Sequence, residues 1–148
     1  MSKHKNTTDE VLLLKNQICF SLYSSMHRLM KIYRPLLSAV GITYPQYLVM
    51  LVLWEEEKIT VSGLGDRLQL DSGTLTPLLK RLEQSGFVER KRSSEDERVV
   101  FVSLTKNGKH LREKAKAIPE QIFCLSGIKE SQAVQLKEIL DGLGAHIY

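Results

Sequence analysis

Between Val61 and Thr105 apolar residues recur first at helical and then at strand spacing. In Leu64-Gly65-Asp66-Arg67-Leu68-Gln69-Leu70 the period is that of a short amphipathic helix. Asp71-Ser72 supplies an N-cap and opens a second helix carrying Leu75, Leu78, Leu79 and Leu82. Ser85-Gly86 ends it, Phe87-Val88 begins a strand, and a second strand runs to Leu104 beyond the charged hairpin Arg92-Ser93-Ser94-Glu95-Asp96-Glu97-Arg98. On either side the pattern is helical throughout. From Glu10 to Val40, Ile18, Leu22, Met26, Leu29, Tyr33, Leu36 and Val40 fall three or four apart, and Pro35 is expected to kink or break the run. Gly41-Ile42-Thr43 turns, and Tyr44-Pro45-Gln46 opens a helix to about Glu57, with Pro45 suited to a first turn. Thr105 caps a further helix to about Leu125, interrupted near Pro119, and a last one spans about Lys129 to His146.

Two short helices, a sharp turn and a hairpin predict a winged helix-turn-helix over 44–104. The fold class is mainly α with a small β wing, flanked by terminal helices over 10–43 and 105–148. The second helix presents Ser72, Thr74, Thr76, Lys80 and Arg81, which suits insertion into a major groove. Ser72, Thr74 and Thr76 are placed to meet bases or phosphates, and Lys80 and Arg81 phosphates. Arg90, Lys91 and Arg92 read as backbone neutralisers, which makes binding salt-dependent. Arg98 stands where a wing reaches a minor groove. Pro77 inside the reading helix predicts an irregular first turn. The flanking helices have no obvious partner in so short a chain. They predict a homodimer whose two-fold axis sets two reading helices about 34 Å apart on a pseudo-palindromic double-stranded DNA operator.

Composition narrows the picture. The chain has 148 residues, 43% hydrophobic and 26% charged, with net charge +4, enough for one self-sufficient core and mildly favourable to nucleic acid. Met1 to Glu10 is polar and no apolar run reaches the roughly 20 residues of a membrane span, so a cytoplasmic chain without membrane contact is expected. Cys19 and Cys124 form no CxxC or Cys/His spacing, which argues against a zinc site or disulfide scaffold and for free thiols.

On a 100° helical wheel Cys19 shares a face with Leu12, Tyr23, Met26, Met30, Tyr33 and Leu37. A cysteine on such a face is often an inert core residue, and the same holds for Cys124 in Ile122-Phe123-Cys124-Leu125. Lys15, one turn before Cys19, is either a positive neighbour or a solvated charge. Tyr33 lies fourteen positions after Cys19. On one straight helix that is about 21 Å, so the two cannot touch within it.

The run Asp96-Glu97-Arg98-Val99-Val100-Phe101-Val102-Ser103-Leu104-Thr105 resembles the wing pattern D-x-R-x(5)-L-T of the MarR family of winged-helix regulators. The reading helix Asp71–Glu83 is similar to that of the organic-hydroperoxide-sensing repressors, the OhrR type. The resemblance covers nearly the whole chain. It implies that Arg98 is the minor-groove residue and Asp96 its orienter. It further implies that Cys19, in Asn16-Gln17-Ile18-Cys19-Phe20, is the reactive cysteine. Tyr33 and Tyr44 then stand where two tyrosines hydrogen-bond that thiol, and Cys124 matches the resolving cysteine of a two-cysteine branch. Ile18 and Ser21 depart from the family's apolar surround. The implied function is repression relieved when an organic hydroperoxide oxidises Cys19. A disulfide with Cys124 of the other subunit follows, a thiol reductant reverses it, and the controlled gene encodes a peroxidase.

No metal, organic cofactor or catalytic residue is implied. Three other readings stay open: a MarR-type repressor answering a reversible ligand such as a phenolic acid, a thiol peroxidase, and a winged helix used only for protein contacts. Against the peroxidase, no Gly-rich loop or general-base cluster accompanies Cys19. Arg98 at the wing tip disfavours the last. Arg98→Ala is expected to weaken DNA binding substantially in a gel shift; unchanged binding would remove the wing assignment.

Overall fold

The computed structural model describes residues 10–145. The polar start of the chain up to residue 9 and the expected helix end at His146 lie outside the described residues. Leu14–Asn16 form a 3-10 turn, followed by seven α-helices and three strands: α1 Ile18–Ala39, α2 Tyr44–Glu56, β1 Lys58–Thr60, α3 Val61–Leu68, α4 Ser72–Gln84, β2 Val88–Arg92, β3 Val100–Leu104, α5 Lys106–Ala115, α6 Ile118–Ser126 and α7 Glu130–Ala145.

The first long helix begins at Ile18 rather than Glu10. Asn16 donates its side-chain amide to the Glu10 carbonyl at 2.7 Å, and Gln17 donates to Val11 at 2.6 Å. Side-chain amides thus take carbonyls that a continuous helix would give to backbone N–H groups, and Gln17 is extended. Leu12 consequently leaves the face it was expected to share with Cys19. Pro35 does not end α1, which runs on to Ala39, and Pro77 does not interrupt α4. In α4 the Thr76 hydroxyl donates to the Ser72 carbonyl at 2.7 Å, so the first turn keeps a local partner despite the proline downstream.

The core forms around α2, whose Val49, Met50 and Leu53 are fully buried. Pro45 stands in its first turn, and the Thr43 N–H donates to Gln46 Oε1 at 2.8 Å, half of a capping box. Leu64 of α3, Leu75, Leu79 and Leu82 of α4, Val88 and Val102 close over it. The sheet is antiparallel in the order β1-β3-β2. Strand β1 was missing from the sequence reading: three residues carry no alternation of their own, and its pairing with β3 is long-range.

Two glycines set close approaches. A Cβ on Gly65 would lie 2.8 Å from the Leu70 carbonyl oxygen, so the elbow between α3 and α4 requires glycine. A Cβ on Gly108 would lie 2.0 Å from the Phe87 carbonyl oxygen. The Gly108 carbonyl accepts the Trp54 indole N–H at 2.9 Å in the buried interior. Helix α5 is thereby clamped to both the core helix and the base of the wing.

The chain ends differ from this centre. In α7 Val134, Leu136, Ile139, Leu140 and Leu143 are exposed, as are Val11, Leu12, Leu13, Leu14, Ile18 and Phe20 at the other end. No single described helix is long and apolar enough to cross a membrane. Gly108→Ala is expected to cost about 3 kcal/mol in urea unfolding, since overpacking against a backbone oxygen leaves no flexible group to move.

Candidate nucleic-acid interface and thiol site

Helix α4 starts at a strong cap. Asp71 Oδ1 accepts the Thr74 N–H at 2.9 Å and Oδ2 accepts the Thr74 hydroxyl at 2.9 Å. These bonds hold the Asp71 carboxyl below its ordinary pKa. The apolar stripe Leu75, Leu79 and Leu82 faces the core. Ser72, Thr74, Thr76, Lys80 and Arg81 are left exposed on the other side. The hydroxyls of Thr74 and Thr76 are already donating within the helix, which leaves their oxygens as acceptors and their methyl groups as contact surface.

The wing is held by local hydrogen bonds. Asp96 Oδ1 accepts the Arg98 backbone N–H at 2.9 Å. Arg92 Nη1 donates to the Glu97 carbonyl at 3.0 Å, and the Ser93 N–H donates to the Val99 carbonyl at 2.8 Å. Arg92 therefore braces the loop with a nitrogen that a phosphate contact would otherwise use. Arg98 is exposed, and among the described residues its guanidinium forms no ion pair. Between α4 and the wing lies an open cleft of about 690 Å³ lined by Ser72, Thr76, Arg90, Arg92 and Arg98 among others. Thr74, Lys80 and Arg81 do not line it.

Arg90 is paired in the single chain. Its Nη2 lies 2.7 Å and its Nε 3.1 Å from Glu83 Oε2, and its backbone N–H donates to Glu83 Oε1 at 3.1 Å. A charge read as a backbone neutraliser is paired with a carboxylate from α4. Glu83 was read as the end of the reading helix and not as a partner of Arg90, because a pair seven residues apart across a turn has no periodic signature.

The thiol region has two separate parts. Cys19 and Cys124 are both free and exposed in the single chain. Their helices, α1 and α6, pack on each other. Because α1 is unbroken, Cys19 and Tyr33 remain about 21 Å apart along it. The structure brings the tyrosines to each other instead. The rings of Tyr33 and Tyr44 are 4.8 Å apart, with Tyr47 at 6.2 and 6.4 Å from them. Tyr47, three places after Tyr44 on one helical face, is the member that sequence reasoning missed. Tyr33 and Tyr44 line a cavity of about 300 Å³ with Met30, Arg34, Leu37 and Ile42. Among the described residues nothing hydrogen-bonds the Tyr33 or Tyr44 hydroxyl, and no buried polar side-chain atom is orphaned. Both are therefore donors open to a visitor. Burial pushes the Tyr33 phenol up to about 12, helped by the neighbouring Tyr44 and Tyr47, and raises those of Tyr44 and Tyr47 as well. All three keep their protons at neutral pH.

A capped reading helix, a braced wing with an exposed arginine and a cleft between them define a winged-helix DNA-binding regulator. The comparisons agree. The model of the SarA/Rot transcriptional regulators matches residues 31–115. The organic hydroperoxide resistance transcriptional regulator of Bacillus subtilis is 54% identical over 127 residues, 86% of each chain. Reduced AbfR bound to DNA, from Staphylococcus epidermidis, superposes with TM-score 0.78 at 40% identity, covering 97% of this chain and 99% of that one. The disulfide form of AbfR gives TM-score 0.65 at 40% identity, with 95% and 93% covered. The chain belongs to the SarA/Rot family of MarR-type winged-helix transcriptional regulators. These relatives are regulators, not enzymes, which sets the peroxidase reading aside.

Tyr33 gives a pH prediction. The native phenol keeps its proton where the unfolded one has lost it, so the native state binds more protons between pH 10 and 12. Its contribution to stability is complete below pH 10 and is lost as pH rises to 12. Absorbance titration of phenolate should show one late step that Tyr33→Phe removes; a step that persists would overturn the assignment.

Proposed function

We propose that the chain is a homodimeric repressor of the cytoplasm that binds a pseudo-palindromic operator when reduced and releases it when an organic hydroperoxide oxidises Cys19. The observation that carries this reading is the pair of unpartnered phenols at Tyr33 and Tyr44, open to a cavity that Cys19 of the same chain cannot reach. A second copy supplies the missing thiol. The exposed apolar residues of α7 and of the segment before α1 supply the surface for that copy, since helices bury an apolar face where a partner exists. The site then straddles the dimer interface, with 10–43 and 105–148 as the dimerising part and 44–104 as the reading part.

In that site two protonated phenols donate to the Cys19 sulfur and stabilise its thiolate. The thiolate attacks the outer peroxide oxygen, the O–O bond breaks, and the alkoxide leaves as an alcohol after taking a proton. Cys19 becomes a sulfenic acid. The Cys124 thiol of the other subunit attacks that sulfur, and water leaves as the disulfide forms. A disulfide needs its Cα atoms within about 7 Å, so any larger separation is closed by movement of α6. Helix α6 follows α5 directly, and α5 is clamped to the wing base through Gly108 and Trp54, so this movement reaches the reading head. A small-molecule thiol returns both cysteines to the reduced state. On the DNA side, Ser72, Thr74, Thr76, Lys80 and Arg81 meet the major groove, and Arg98, held by Asp96, enters the minor groove. The present conformation, nearer the reduced DNA-bound relative than the disulfide one, fits the binding-competent state.

The 300 Å³ cavity with Arg34 on its wall also suits a small aromatic acid, which keeps the ligand-responsive reading as the second one. A gel shift on the chain's own promoter separates the two. After one equivalent of an alkyl hydroperoxide, wild type should release DNA and form a Cys124-dependent covalent dimer on a non-reducing gel, while Cys19→Ser should stay bound. Release by the Cys19→Ser variant would favour the ligand reading, and binding indifferent to peroxide would return Cys19 to a structural role.

A further inference from the structure

Strand β2 leaves the end of α4 through a short turn, and its alternate residues Val88, Arg90 and Arg92 are spaced to share one face. Each of them is fastened. Val88 is 2% exposed against the core, Arg90 is tied to Glu83, and Arg92 is tied to the Glu97 carbonyl. The middle fastening is the ion pair between the wing and the reading helix, beside the packing of Val88 in the same core as Leu75, Leu79 and Leu82. It is also the one with an electrostatic cost. Glu83 places a carboxylate on Arg90, one of the arginines that line the cleft, and a phosphate backbone brought to Arg90 would be repelled by it. The Arg90–Glu83 pair is neutral, so it adds no net counterion release.

We propose that Glu83 and Arg90 form a strut that sets the pitch of the wing against α4, so that Arg98 meets the minor groove while α4 occupies the major groove. Arg90 is a positioning residue and not a phosphate contact, and Glu83 is the acidic residue through which it acts. Two side-chain nitrogens on one carboxylate oxygen, with the Arg90 backbone N–H on the other, fix strand and helix at a single angle. The strut extends the DNA-binding reading above and rests on it.

The opposing readings predict opposite signs. If Arg90 contacted phosphate, Glu83→Gln would remove a repulsive charge and tighten binding, and Arg90→Gln would lower the salt slope by about 0.9. The strut requires that both substitutions weaken binding by about fivefold, the upper range for an exposed ion pair, with the salt slope unchanged. It also requires that neither has a further effect in an Arg98→Ala background, because the wing then has nothing to position. Fluorescence anisotropy on a duplex of the chain's own promoter, over a salt series, reads all of these. Tighter binding by Glu83→Gln, a reduced slope, or additive losses with Arg98→Ala would overturn the strut. Hydrogen exchange of the free dimer is the companion measurement. Wing amides over 92–100 should exchange faster in Glu83→Gln while α2 stays protected, and unchanged wing exchange would also overturn it. Failure of the wild type to bind the duplex would count against the DNA reading alone, since exchange still decides the strut.

Discussion

The contact between α5 and the base of the wing has no slack. Gly108 meets the Phe87 carbonyl at a distance that admits no Cβ, while its own carbonyl takes the Trp54 indole N–H. Thr105 adds a bond from its hydroxyl to the Gly86 carbonyl at 2.6 Å and caps α5 through the Gly108 N–H. Backbone-to-backbone contacts of this kind cannot be relieved by a change of rotamer, so α5 and the reading unit move as one body.

This rigidity gives the cysteine positions their meaning. A switch placed within the core would have to break close packing, at a cost of several kcal/mol for each large side chain displaced. Both cysteines instead lie outside the core, on surfaces that the single chain leaves exposed. The tyrosine pair sits between these two regimes. Its rings pack against the core, and both residues line a cavity. Burial raises the phenols of Tyr33, Tyr44 and Tyr47 further above neutrality, so their hydroxyls are protonated at neutral pH.

The DNA face follows the same division between fixed and free groups. Three arginines are committed: Arg90 to Glu83, Arg92 to the Glu97 carbonyl, and Arg67 of α3 to Glu55 and Glu56 of α2. Arg98, Lys80 and Arg81 are outside these pairs. An arginine that serves as scaffold cannot be told from one that serves as contact by its presence in a basic run.

Sequence periodicity by itself determined the reading helix, the hairpin and the terminal helices, because each is a local pattern in which apolar spacing, caps and turn residues agree. The Asp71 cap, the leucine stripe of α4 and the position of Arg98 were legible for this reason. The family motif placed Cys19, Cys124, Tyr33 and Tyr44 as candidates, though spacing alone left both thiols equally readable as core residues. What only the tertiary structure decided are matters of non-local contact. Strand β1 exists because β3 pairs with it. The early break before Ile18 follows from side-chain amides competing for backbone carbonyls. Tyr47 joins Tyr33 and Tyr44 because α1 and α2 meet at that turn. Arg90 is paired within the protein because Glu83, across a turn, offers it a carboxylate at 2.7 Å, and no one-dimensional pattern records a distance.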